Sequence, residues 1–243
     1  MMWSRSVVTL TIALLGAALA PLSGQQPAFE VASIKVNHSG GRGGHMDLSR
    51  PGTLEATNST LQACIRWAYD VQDFQIIGAP GWLDGDRYDI FAKAPTANTS
   101  VQEKKRMLQA LLVVRLGLQV HREKKKLPTY LLFVGKGGPK LQATTVDFSS
   151  ASSGSGSIRD RGATAALLAA QLSSVLGQIV IDKTALTEKY DFKLEWEPDL
   201  DAQSAPGPSL FSALQELGLK LESAKGDVEV LVIDHIERVP TEN

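Results

Sequence analysis

The sequence predicts an α+β protein made of two tandem repeats of a small β-α-β-β-α-β-β module, with helices packed on one face of a mixed sheet. Three observations carry this expectation. Residues 52–94 and 156–198 pass through the same order of patterns and reach a similar phrase, Arg87-Tyr88-Asp89-Ile90 in one and Lys189-Tyr190-Asp191-Phe192 in the other. Each stretch then continues into a Leu-Gly-Leu corner, Leu116-Gly117-Leu118 and Leu217-Gly218-Leu219, followed by a strongly apolar segment. The spacing of apolar residues also switches within the copies, between the period of a helix and that of a strand.

At the amino terminus, Arg5, the apolar run 7–20 and the small residues after it have the three-part form of a secretory signal, too short to span a bilayer. Cleavage near residue 24 leaves about 220 residues, enough for two modules of about 100 residues each. The expected organisation is a signal peptide over 1–24, a first module over 25–148 with an N-terminal strand extension, a Ser/Gly linker over 149–157 and a second module over 158–243. The extension lies within 29–58 and includes a glycine loop, Gly40-Gly41-Arg42-Gly43-Gly44.

Short strands are expected at 53–56 and 157–160. Leu61, Cys64, Ile65 and Ala68 then recur at helical spacing, as do Leu210, Ala213, Leu214 and Leu217, so each set forms the apolar stripe of a core-facing helix. Ser59 with Gln62, and Ser100 with Glu103, have the spacing of capping boxes. Tyr190, Phe192, Leu194 and Trp196 alternate with charged residues, as a strand with one wet face requires. The unbroken apolar runs 130–134 and 230–233 suit central strands. The run Arg122-Glu123-Lys124-Lys125-Lys126 is expected at the tip of a hairpin joining 118–121 to 129–134. Gly117 and Gly218, each between a helix and a strand, fit left-handed caps. A second loose connection is expected over 200–208.

Charge is nearly balanced, 25 Lys plus Arg against 26 Asp plus Glu, so no basic surface points to nucleic acid. The lone Cys64 excludes an internal disulfide and sits on an apolar helical stripe, which suits a buried thiol rather than a nucleophile. His38, His45 and Asp47 lie around the glycine loop without the spacing of a metal motif. His121 and His235 stand among charged neighbours in strands. Ser173 and Ser174 fall within a helix and lack the Gly-x-Ser-x-Gly elbow of a serine hydrolase. Gly135-Lys136-Gly137-Gly138-Pro139 reads as a turn after a strand, not as a phosphate loop. Asp89 and Asp191 recur as shared architecture. No catalytic set, cofactor or metal site is therefore expected. Trp67, Tyr69 and Trp82 lack aromatic counterparts in the second copy and form the candidate binding surface.

Phe29-Glu30-Val31-Ala32-Ser33-Ile34-Lys35, Gly81-Trp82-Leu83-Asp84 with Arg87-Tyr88-Asp89, and Asp182-Lys183-Thr184 through Tyr190-Asp191-Phe192 resemble an uncharacterised exported family. It is soil-associated, abundant in acidobacteria, and carries a domain of unknown function. The resemblance covers nearly the whole mature chain and implies export, no established activity and no catalytic residues to transfer. Similar domains occur attached to membrane-bound sensor metallopeptidases. Each half also resembles, in pattern alone, the short amino-terminal domains of secretins and TonB-dependent receptors, which dock partner proteins in the periplasm.

The expected function is thus a non-enzymatic binding or assembly module of the cell envelope, periplasmic or extracellular, with an envelope protein or a small ligand as partner and no membrane span in the mature chain. The alternatives are a secreted hydrolase whose site assembles from distant residues, and a sensory domain regulating a membrane peptidase. A deep pocket of close polar partners would favour the enzyme, and an exposed sheet edge or apolar groove the binding module.

Overall fold

The computed structural model describes residues 27–41, 43–147, 150–154, 156–197 and 208–241. The expected leader, residues 149 and 155 of the linker, and 200–207 of the second loose connection lie outside the described residues. In chain order the elements are β1 (Val31–Val36), β2 (His45–Asp47), β3 (Thr53–Ser59), α1 (Leu61–Tyr69), a 3-10 turn (Asp73–Gln75), β4 (Ile76–Ile77), α2 (Trp82–Gly85), β5 (Tyr88–Lys93), α3 (Val101–Leu116) and β6 (Gln119–Val134). There follow β7 (Ala143–Thr144), β8 (Ser150–Gly154), β9 (Ser157–Ala163), α4 (Ala165–Leu176), β10 (Ile179–Asp182), β11 (Lys189–Glu195), α5 (Leu210–Glu216) and β12 (Leu219–His235).

This is an α+β fold with three four-stranded sheets. An antiparallel sheet in the order β1-β5-β3-β2 belongs to the first half, and one in the order β7-β11-β9-β8 to the second. Residues 150–154, within the expected Ser/Gly linker, pair as β8 along the edge of β9. The third sheet, β10-β6-β12-β4, is mixed and draws strands from both halves. Its centre is the antiparallel ladder of β6 and β12, running from Val134 opposite Leu219 to Gln119 opposite His235. At about 3.3 Å per residue each long strand spans about 50 Å.

That ladder corrects the hairpin expected at 122–126. These residues lie within β6, which passes straight through them. The stretch contains no Gly, Asn, Asp or Pro to take the special dihedrals of a tight turn. Across the ladder, Lys126 faces Asp227 and Lys124 faces Glu229, so an extended strand places opposite charges in register.

The expected helical stripes are in place. Leu61, Cys64, Ile65 and Ala68 are all buried on α1, and Leu210, Ala213 and Leu214 on α5. Tyr190, Phe192 and Leu194 form the dry face of β11. Ser100 and Glu103 form the reciprocal cap of α3. The start of α1 differs by one residue from expectation: Thr60 is the N-cap, accepting from Ala63 N–H at 3.2 Å, while the Ser59 hydroxyl donates to the carbonyls of His45 and Thr57. Gly117 and Gly218 both have positive φ. At Gly218 a Cβ would also sit 2.2 Å from the Gly138 carbonyl oxygen, so no other residue fits the close approach of the two chains.

Each half has its own core, and each core is closed by a strand launched from the other half. Leu231 and Ile233, near the end of β12, pack with Leu54, Ile65, Leu83, Tyr88 and Leu112 of the first half. Leu132, near the end of β6, packs with Ile158, Leu172, Phe192 and Leu214 of the second. Burial of a large aliphatic side chain contributes about 1.5–3 kcal/mol, so these crossings supply a material share of each core.

Candidate functional site

The crossing strands leave a waist between the halves, and a groove opens across it. On one side, α1 ends at Asp70, whose left-handed conformation (φ 55°, ψ 48°) lets its N–H reach the Arg66 carbonyl. The chain then enters the 3-10 turn, where the Gln72 N–H donates to Gln75 Oε1 at 3.0 Å. Gln75 Nε2 donates in turn to the Glu229 carbonyl at 2.9 Å, tying the turn to the edge of β12 just before β4 pairs with it. On the other side, α4 ends at Gly177 (φ 61°), and Ile179 begins β10 in parallel register with Thr129 of β6.

Two hollows open along these segments. One, of about 370 Å³, is lined by Arg66, Asp70, Val71, Gln72 and Ser174. The other, of about 170 Å³, has a mainly apolar lining of Phe74, Leu127, Pro128, Gly177, Gln178, Ile179 and Val228. Both are lined from the same two segments, 66–74 and 174–179, and β6 and β12 add Leu127, Pro128 and Val228 to the apolar one. One hollow is therefore polar and the other mainly apolar. Arg66 in the polar hollow is held by Asp73, Nη1 to Oδ2 2.8 Å, and Asp73 also accepts from Gln62.

The sequence-predicted aromatic surface lies beside this groove and does not line it. Trp67, Tyr69 and Trp82 are half-buried and packed against the first core. Lys105 Nζ lies 5.7 Å from the centre of the Trp67 ring and is ion-paired with Asp70 on the groove wall. The Tyr69 carbonyl accepts from Arg122 Nη2 at 2.8 Å, and burial pushes the Tyr69 phenol pKa up against the opposing pull of Arg122. Trp82 opens α2, where its carbonyl accepts from the Asp86 N–H.

Among the described residues no group of three or more His, Cys, Asp or Glu is placed to hold a metal ion; His38 and His45 are exposed. Ser173 is buried, its hydroxyl donating to the Ala169 carbonyl and accepting from the Val180 N–H, both at 2.8 Å, so it latches α4 to β10. Burial pushes the Cys64 thiol up to about 12, which keeps it protonated and unreactive at neutral pH. His121 is exposed, with Nδ1 2.8 Å from Asp234 Oδ2. That hydrogen bond, more than the nearby Glu123, raises its pKa. No described helix is long and apolar enough to cross a membrane.

Of the groove residues only Ser174 is a candidate in the sequence, and there only as a serine without a hydrolase elbow. The groove residues come from four segments that only the long ladder brings together, and none carries a local motif.

A family model described as a protein of unknown function, DUF3738, matches residues 62–236, from α1 past the end of β12, and so takes in both walls of the groove and the strands between them. No curated protein and no solved structure matches the chain.

Proposed function

The chain belongs to the DUF3738 family, whose description names no activity, and from that premise we propose that it is an exported, non-enzymatic binding module of the cell envelope whose waist groove holds a segment of a partner protein. The observation that carries this reading is the pair of open hollows lined from 66–74 and 174–179, one mainly apolar and one polar. A pair of that form suits an extended segment that anchors one apolar side chain and leaves its backbone to polar groups. The leader-like residues 1–24 and the exported family resembled by the sequence support the envelope as its location. The likeness of each half to periplasmic docking domains supports the same role. Trp67, Tyr69 and Trp82 flank the groove as the outer part of the contact surface.

Site-specific photo-crosslinking tests the proposal in the envelope of an expressing bacterium. A crosslinking side chain at position 72 or 178 is expected to trap one and the same envelope protein. The same group at position 193, on the exposed face of β11, is expected to trap none of it. Capture that is equal at all three positions, or absent at 72 and 178, rules the groove out as a docking site.

A further inference from the structure

A second cleft lies at the open end of the first sheet, away from the waist. Val36 of β1 stands opposite Tyr88 of β5, and the Asn37 N–H donates to the Arg87 carbonyl at 2.8 Å, so Asn37 and His38 emerge beside Asp86 and Arg87. The carboxy-terminal segment crosses there. The Tyr88 hydroxyl donates to the Arg238 carbonyl at 2.8 Å, and the Arg238 guanidinium grips Asp86 through Nε (2.6 Å) and Nη2 (3.1 Å). These three segments enclose a cleft of about 500 Å³.

Two polar side chains of this cleft are uncommitted among the described residues, the exposed His38 and the half-buried Arg87, and Arg87 decides its chemistry. Arg238 neutralises Asp86. The Asn37 side chain is spent on Asp89 and on the Ser39 N–H. Arg87 is half-buried in the cleft wall, yet its side chain makes no hydrogen bond or ion pair with another described residue. A guanidinium drawn partly out of water gains by pairing with an anion, because burial strips some of its hydration. Its planar fork matches the two oxygens of a carboxylate. Beside it, Val36 and Val239 are 37% and 71% exposed and offer an apolar wall.

We propose that this cleft binds an organic monocarboxylate with an apolar body, the carboxylate on Arg87 and the body against Val36 and Val239. The charge count favours a monoanion. Arg238 neutralises Asp86, but Asp89 beside Asn37 is held only by neutral donors, so a single carboxylate on Arg87 adds less negative charge there than a phosphate dianion would. The site is separate from the waist groove and stands whether or not a partner docks there.

The test is a titration of the protein with hexanoate, followed by NMR of the Arg87 Nε–H and of the Val36 and Val239 methyl groups. Hexanol, acetate and inorganic phosphate serve as competing chemistries. Hexanoate is expected to shift all three signals saturably, with the other probes weaker by about tenfold or more. Arg87→Ala is expected to abolish the response. Val239→Asp, at an exposed position outside both cores, is expected to weaken hexanoate binding by about tenfold through charge repulsion while leaving the fold intact. An unchanged hexanoate titration in Val239→Asp, an equal response to hexanol, or phosphate binding as tight as hexanoate would overturn the assignment.

Discussion

The Asp89 carboxylate accepts the backbone N–H of Asn58 at 2.8 Å, bracing the point where β3 gives way to α1. Asn58 has φ 51° there, two residues before the Thr60 cap, and the strand register against β5 shifts at the same place. The second half makes the same contact: Asp191 accepts the N–H of Gly162 at 2.9 Å, with φ +67°, two residues before the Thr164 cap. Asp89 carries more, since both its oxygens also accept from Asn37 Nδ2 at 2.8 and 2.9 Å. The aspartate of the Tyr-Asp phrase is therefore a brace for a left-handed bend.

Replacing Asp89 by Ala is expected to cost about 1–3 kcal/mol, because it leaves a partly buried N–H and a side-chain amide without their charged acceptor. Asp191→Ala, which removes one such bond, is expected to cost less. Urea denaturation followed by circular dichroism gives both values. A larger loss for Asp191→Ala would contradict the ranking.

Leu132→Ala removes a fully buried side chain from the second core and is expected to cost about 2–5 kcal/mol. Because β6 and β12 each serve both cores, the loss should be felt at Cys64 in the first core. Thiol labelling across a denaturant series should then shift its midpoint together with the circular-dichroism transition. Labelling of Cys64 that keeps its wild-type midpoint would mean that the halves unfold independently. The same thiol sets a pH dependence. Its pKa rises from 9.0 to about 12 on folding, so above pH 9 the unfolded chain loses a proton that the folded chain keeps. Stability is full below pH 9 and falls by up to about 1.4 kcal/mol per pH unit between 9 and 12. Cys64→Ser or Cys64→Ala should remove that slope.

His121 should titrate above the ordinary histidine range in NMR, because Asp234 accepts from the protonated ring. The sign follows: a pKa raised on folding adds stability that is fully present below the unfolded value, about 6.5, and is lost as pH rises through the folded value. Asp234→Asn should bring the titration back toward the ordinary value. An unmoved titration would assign the raised pKa to Glu123, 3.6 Å from the other ring nitrogen.

Local periodicity made the α1 stripe, the α5 stripe, the dry face of β11 and the Ser100–Glu103 cap legible, because each depends on residues a few positions apart. The same locality explains the errors. At 122–126 a run of charges looked like a turn, since the opposite charges that make it a strand, Asp227 and Glu229, lie about a hundred positions away. Trp67, Tyr69 and Trp82 stood out because the second copy lacks aromatic counterparts, and the structure packs each of them partly against the first core.

The chain by itself determined its helices, the dry faces of its strands, the glycines of its bends and the inertness of its one thiol, since burial patterns and dihedral limits act over a few residues. Tertiary structure alone decided that β6 and β12 cross between the halves, that Asp89 and Asp191 brace left-handed bends, and that a groove and an Arg87 cleft exist. Those features depend on which distant strands pair. That choice is made by the summed burial of both cores, a quantity that no short window of sequence contains.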